Sequence, residues 1–386
     1  MAENRVYADH AATTPMLPQA RDVWLSHANA GGNASSLHAT GRRARQVVEE
    51  AREQIAEALG VRPSAVIFTA GGTEADNLAV KGLTWASPAP RRVIASAVEH
   101  HAVLDPVTWL AEHDGVDVDW LGVDSQGRVD LDELRDLLAS GPASLCTIMW
   151  ANNEVGTIQP VAAIAALCRD AGVLFHTDAV QALGQIPLGE PCWDAMTIAS
   201  HKIGGPFGIG ALICDPSIPL TPLLHGGGQE RDVRSGTFDP PAAAAFATAV
   251  TYAVEQQASH AEHVRTLQEA LRAAVAEHLP QVRFNGDPAD RLPGNLHMSF
   301  PGCEGDALLM LLDAAGVDCS TGSACTAGIP EPSHVLLAMG IDDRVARGSL
   351  RMSFGRTSTM ADVEHIANVL PAAVERATRA GSGTRT

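Results

Sequence analysis

Apolar residues recur at helical spacing from Thr40 onward, at Ala44, Val47, Val48, Ala51, Ile55, Ala58 and Leu59, and Gly60 stands where such a helix stops. A short apolar run, Ala65 to Thr69, follows and predicts a strand leading into Gly71-Gly72-Thr73, after which Glu74 to Lys81 predicts a helix. Asp130 and Glu133 have the spacing of a capping box ahead of a helix carrying Leu131, Leu134, Leu137 and Leu138, closed by Gly141-Pro142. The pattern repeats with a buried strand from Ser144 to Trp150, a helix from Val161 to Arg169, a strand from Val173 to Thr177 and another from Ala195 to Ser200. Helices alternating with fully apolar strands imply a mainly parallel sheet covered on both faces. In such sheets ligands gather at the carboxyl ends of the strands. Gly71-Gly72-Thr73, Asp178 and Lys202 all fall just past predicted strand ends.

After about residue 240 the character changes. Pro240-Pro241 opens a long Ala-rich helical region, followed by a strand from Asn295 to Phe300, a helix from Gly305 to Ala315, a strand from Leu350 to Phe354 and a helix from Ala361 to about Thr378. The last seven residues read as a frayed tail. The expected organisation is an α/β large unit over 15–250 and a smaller α+β unit made of 1–14 and 251–386.

Composition narrows the function classes. With 46% hydrophobic and 19% charged residues the 386-residue chain has the balance of a packed protein. Its 27 basic against 45 acidic side chains leave a formal charge of −18, and only 4% are aromatic, so neither nucleic acid nor an anionic membrane is the expected partner. The longest apolar run, Ala242 to Val254, falls short of the roughly 20 residues a spanning helix needs. The N-terminus has no apolar core of a secretory signal, which points to the cytoplasm. Seven cysteines without C-x-x-C spacing suggest neither a disulfide frame nor a metal site.

Candidate chemistry sits at the strand ends. Gly71-Gly72-Thr73 at a strand-to-helix junction suits an anion, because free N–H groups and the helix dipole favour negative charge there. The glycines near Lys202 follow the lysine, which excludes a P-loop. Lys202, between Ser200-His201 and a glycine run, is placed where partial burial would lower its pKa and let the neutral amine form a Schiff base. An acid at Asp178 would keep a bound pyridine nitrogen protonated. Taken singly, each also fits a plain glycine turn, a solvated lysine or a loop acid. Cys146, Cys168 and Cys214 lie in apolar runs and read as core. Cys325 lies in the small, polar stretch Ser320 to Gly328, a poor place to bury a thiol. His101, His113, His260 and His263 read as solvated.

The ensemble is more specific than its parts. Asp9-His10-Ala11-Ala12-Thr13-Thr14-Pro15, Gly32 to His38, Gly71 to Glu74, Glu99-His100, Asn152-Asn153-Glu154, Asp178 to Gln181, Ser200-His201-Lys202, Arg234 to Thr237, Gly322 to Cys325 and Arg351 together resemble the cysteine desulfurases of the NifS/IscS type. These are class V aminotransferases of the fold type I pyridoxal-phosphate enzymes, and the resemblance spans essentially the whole chain. It implies that pyridoxal phosphate is held by Lys202, with Asp178 at the pyridine nitrogen, Gln181 at the ring hydroxyl and His100 stacked on the ring. It places the phosphate on Gly72, Thr73 and His201, with Thr237 reaching across a homodimer interface. Where the family often has a serine, this chain has Ala199, so that hydroxyl contact is either lost or taken by Ser200. Asn153 and Arg351 match the groups that bind the substrate carboxylate, and Cys325 the nucleophile that takes sulfur from L-cysteine as a persulfide, leaving L-alanine. The sulfur acceptor stays open between an iron–sulfur scaffold, favoured by the resemblance, and partners in tRNA or DNA thiolation. Selenocysteine lyase, another class V activity and a non-catalytic scaffold are the alternatives.

Overall fold

The computed structural model describes residues 5–88, 90–322 and 332–383. Its largest sheet holds seven strands: β2 (Val66–Thr69), β3 (Arg92–Ser96), β4 (Asp117–Leu121), β5 (Leu145–Thr147), β6 (Leu174–Asp178), β7 (Ala195–Ala199) and β8 (Gly210–Cys214), preceded in the chain by a short β1 (Val6–Tyr7). The spatial order is β2-β8-β7-β6-β5-β3-β4. All neighbours run parallel except β8, which is antiparallel to both β2 and β7. Two reversals through β8 restore the direction of β2, so the strands that lead into the chemistry all end on one edge.

Period-two alternation explains why both faces must be covered. In β2, Val66 and Phe68 join one core and Ile67 the other; in β3, Ile94 faces one and Val93 and Ala95 the opposite. One face packs against α2 (Ala39–Leu59), α5 (Leu131–Ala139), α6 (Val161–Ala171) and α7 (Pro240–Glu255), contributing Val48, Ile55, Leu134, Ile164 and Phe246. The other packs against α3 (Gly72–Ala86) and α4 (His101–Asp114) through Leu78, Leu83, Val103, Val107 and Leu110, all of them 1% exposed or less. Each such side chain contributes about 1.5–3 kcal/mol of burial. The helix α1 (Pro18–Ala28) lies on α7. The ion pair of Arg52 on α2 with Glu230 is almost fully enclosed and also binds the Val66 carbonyl and the Phe68 amide, fastening the first strand of the sheet to that helix.

A separate core forms where β9 (Arg283–Asn285), β10 (Asn295–Ser299) and β12 (Ser349–Ser353) make an antiparallel sheet in the order β12-β10-β9. Leu296, Met298, Leu350 and Met352 meet Val264 and Leu271 of α8 (Gln257–His278), Leu308 of α9 (Gly305–Ala314) and Ile366 of α12 (Met360–Gly383). The chain's first strand belongs here: β1 pairs in parallel with β11 (Val317–Asp318), and Asp9 bridges to Ser353. Two short helices, α10 (His334–Ala338) and α11 (Asp343–Ala346), precede β12.

Several predicted elements recur with shifted ends. The Gly60 stop is a left-handed C-cap, and Asp130 caps α5 by accepting from the Asp132 and Glu133 amides. Glu133 does not close the box, because its carboxylate accepts from Gly122 instead. The final helix runs on to Gly383, so the first residues of the expected tail are helical and 384–386 lie outside the described residues; each added helical residue gains a hydrogen bond without needing a tertiary partner. Among the described residues no helix is long and apolar enough to cross a membrane.

Candidate active site

The converging strand ends enclose a cavity of about 400 Å3. From β2 the chain turns through Gly71, whose φ of +149° only glycine adopts readily, into α3. The opening N–H groups of that helix have no intrahelical acceptors. Gly72 and Thr73 line the cavity there. Glu74 steadies the turn: it accepts from the Ala70 amide at 2.6 Å and pairs with Arg234 at 2.8 Å.

From β6 the chain delivers Asp178, only 6% exposed, which accepts from the Val180 amide at 2.8 Å. Burial lifts its pKa to about 6, against the pull of that hydrogen bond and of Lys202. From β7 a single 3-10 turn, Ser200–Lys202, presents His201 and Lys202. Burial, reinforced by the Arg351 guanidinium, lowers the Lys202 pKa to about 8, with Asp178 and Asp9 opposing. The lysine amine donates to the Ala11 and Ala12 carbonyls at 2.7 and 2.9 Å. His100 caps α4 by accepting from the Ala102 amide, which leaves its other ring nitrogen for the cavity. Its ring is open to the cavity, yet the surrounding protein and then Lys202 hold its pKa down at about 4, so it stays neutral.

Arg351 enters from the smaller sheet. One of its terminal nitrogens donates to the Asn153 carbonyl at 2.9 Å and the other to Asp9 at 2.7 Å, while its Nε and the Asn153 Oδ1 have no partner among the described residues. Gln181 donates to the Ala11 carbonyl at 2.9 Å. The loop from Asp9 to Thr14 thus ties Lys202, Gln181 and Arg351 together. In the sequence this stretch is only a signature; its carbonyls carry no side-chain signal, and Asp9 gives no hint of a partner 342 residues away.

Lys202, Asp178, His100, His201, Gly72, Thr73, Gln181, Asn153 and Arg351 therefore share one cavity, joined by Asp76 and Ser320, which the sequence reading did not single out. Ser200 does not join them. Its hydroxyl is turned beneath Gly205, where an added Cβ would stand 2.1 Å away, and it has no hydrogen-bond partner among the described residues. Thr237 is exposed and outside the cavity wall. Cys325 lies outside the described residues, although Ser320 and Gly322, just before it, line the cavity. Cys146, Cys168 and Cys214 are buried, each 2% exposed or less. Cys319 is buried too, which pushes its thiol up to about 12. His101, His113 and His263 are exposed, but His260 is half-buried in a neighbouring hollow beside His10 and Arg356, and burial lowers it to about 4.

Comparison with known proteins gives three findings. The family described as Aminotransferase class-V matches residues 6–366. The chain is 54% identical over 382 residues, covering 97% of each protein, to an IscS-like cysteine desulfurase of Mycobacterium tuberculosis. Among solved structures it resembles a NifS-like protein from Rickettsia africae, with a TM-score of 0.88 and 31% identity over 96% of this chain and 100% of that one, and DndA from Streptomyces lividans, with a TM-score of 0.76 and 37% identity over 90% and 99%.

Proposed function

The chain belongs to the aminotransferase class-V family and is a pyridoxal-phosphate-dependent cysteine desulfurase, and we propose the following division of labour among its residues. The donor set fits the cofactor. A glycine turn feeds a helix N-terminus for the phosphate, a buried acid stands ready for a ring nitrogen, and a lysine whose pKa is lowered by burial shares the same cavity. Gly72, Thr73 and His201 would hold the phosphate, Asp178 the ring nitrogen and Gln181 the ring hydroxyl, with His100 against the ring face. Ser200 is left out of this cradle, because its hydroxyl lies beneath Gly205 and outside the cavity wall. Pyridoxal phosphate supplies an electron sink that weakens the bonds around the amino acid's Cα.

Lys202 would hold the cofactor through its amine and would move the proton at the substrate Cα. A pKa of about 8 suits both directions near neutrality. Arg351 and Asn153 receive the substrate carboxylate, and Asp9 fixes the guanidinium that does so. Cys325 attacks the substrate sulfur: an S–S bond forms, the Cβ–S bond breaks with its electron pair left on Cβ, and a proton there completes L-alanine. The persulfide then passes to an acceptor protein, for which an iron–sulfur scaffold is our reading.

We further place the protein in the cytoplasm, as a homodimer in which exposed Thr237 reaches the partner's phosphate. The unit boundaries at 15–250 and at 1–14 with 251–386 draw support from the small sheet having a core separate from those on the two faces of the large sheet. The convergence of Lys202, Asp178 and Arg351 on one cavity carries the functional reading. Its test is to add L-cysteine and a thiol reductant to the purified holoenzyme: alanine and sulfide should appear in equal amounts, and alanine without sulfide would refute desulfuration.

A further inference from the structure

A second hollow, of about 220 Å3, adjoins the active-site cavity, and the two walls have one residue in common, Lys202. The loop that gives Ala11 and Ala12 to the active site gives His10 and Thr14 to this other space. The rest of the wall comes from the end of α7, the first turns of α8 and the two residues Gly355 and Arg356 beyond β12. His10 is fixed there: its Nδ1 lies 2.6 Å from Thr14 Oγ1, and its ring packs so closely on Gly355 that a Cβ at that position would stand 2.1 Å from Nδ1.

The charge of this wall runs against that of the chain. His10, Lys202, His260, His263 and Arg356 line it, and among the described residues no aspartate or glutamate does, although the sequence has 45 acidic side chains against 27 basic ones. Asp362, at the start of α12, acts on His10 electrostatically, but its carboxylate accepts from the Thr359 amide and hydroxyl and stays outside the wall. The wall also holds uncommitted donors. Arg356 rests one terminal nitrogen on the Pro15 and Met16 carbonyls at 2.7 and 3.0 Å, while its Nε is buried without a partner among the described residues. A buried donor left unpaired costs free energy until something accepts from it. The half-buried His260 ring makes no hydrogen bond among the described residues, and neither do the side chains of Gln185 and Tyr252. Burial, then His263 and Arg356, hold His260 at about 4, so near neutral pH it is uncharged and offers one N–H. Leu17, Leu183 and Ile203 complete the wall with apolar surface.

We propose that this hollow is a second binding site, for a small organic anion: a carboxylate or phosphate head received by Arg356 and His260, with a short apolar body against Leu17, Leu183 and Ile203. A guanidinium matches the geometry of either oxyanion head. The wall gives an ammonium group no counter-charge, so the ligand lacks an amine and is not a free amino acid. The site thus differs in kind from the cavity that takes cysteine, while sharing Lys202 and the Asp9–Thr14 loop as a partition with it.

The test titrates the holoenzyme with n-butyl phosphate and with butyrate by isothermal calorimetry, with inorganic phosphate and butylammonium for comparison. The wild type should take up one of the two organic anions saturably, one molecule per chain and more tightly than inorganic phosphate, and the better of the two identifies the head group. Arg356→Gln should weaken that binding at least about tenfold and His260→Leu at least about threefold. Arg351→Ala should bind within about threefold of wild type, because Arg351 lines the other cavity. Absence of saturable binding overturns the inference. So does binding that survives both Arg356→Gln and His260→Leu, that butylammonium matches, or that is lost only in Arg351→Ala. Should Arg356→Gln fail to fold without its hold on Pro15 and Met16, His260→Leu alone decides by the same criteria.

Discussion

Asp178→Asn should stabilise the cofactor-free protein while weakening its grip on pyridoxal phosphate. The carboxyl is buried, and its pKa stands at about 6 against an ordinary 3.8. A folded-state pKa above the unfolded one means that the native protein binds the extra proton. The stability this brings is complete below about pH 4 and is lost as pH rises through about 6. At about 1.4 kcal/mol per pH unit, the gap costs the ionised wild type about 3 kcal/mol above pH 6 and about half of that at pH 5. Asparagine keeps the shape and the acceptor for the Val180 amide but has nothing to ionise. Any packing change it brings is constant with pH, so the stability difference between variant and wild type should grow by about 1.4 kcal/mol from about pH 5 to about pH 7.5. Urea unfolding of the two apoproteins at both pH values measures this directly. The cofactor should reverse the ranking, because a protonated ring nitrogen gives the wild-type carboxylate its counter-charge. A stability difference that stays flat between the two pH values would refute the account of Asp178 as an acid strained by burial.

Lys202→Ala should abolish turnover and the borohydride-trapped cofactor–lysine adduct; an adduct surviving in that variant would move the assignment elsewhere. Arg351→Ala removes charge-assisted hydrogen bonds worth about 1.5–3 kcal/mol and should lower kcat/KM for cysteine at least about tenfold, as steady-state kinetics would show. Cys325→Ser should bind the cofactor and respond spectrally to cysteine while forming almost no alanine. Wild type given cysteine without reductant should carry one extra sulfur on the Cys325 peptide, and its reproducible appearance on Cys319 or Cys303, with Cys325→Ser active, would overturn the mechanism.

The periodic elements were legible because their chemistry is local. The α2 stripe from Ala44 to Leu59 and the glycine stop at Gly60 show in any window of the chain, and so does the apolar run of β2. The strand β4 hid behind Asp117 and Asp119, since an edge strand is only partly covered and its charged residues break the apolar run. The helix α4 hid because Pro106 lies inside it. At the site, residue types at strand ends were readable, but orientation was not. Ser200 sits at the expected position and points the wrong way, because Gly205 leaves just enough room for its hydroxyl. Asp9 and the carbonyls of Ala11 and Ala12 acquire meaning only when they meet Arg351 and Lys202, 342 and 191 residues along the chain from Asp9 and Ala11.

The pairing of β1 with β11 also dictates an order of assembly on the ribosome. Synthesis runs from the N-terminus at about 5–20 residues per second, so the first strand emerges tens of seconds before its partners at Val317 and Ser353 exist. The large sheet, complete at Cys214, has all it needs to form in the meantime. Until β12 is made, the loop from Asp9 to Thr14 lacks the Ser353 hydroxyl that holds the Ala11 amide at 2.8 Å. The loop that offers its carbonyls to the Lys202 amine is then held only through Gln181 and His201. A nascent chain therefore presents an unfinished lysine site, and the reactive aldehyde of free pyridoxal phosphate meets a complete one only when the molecule is nearly whole.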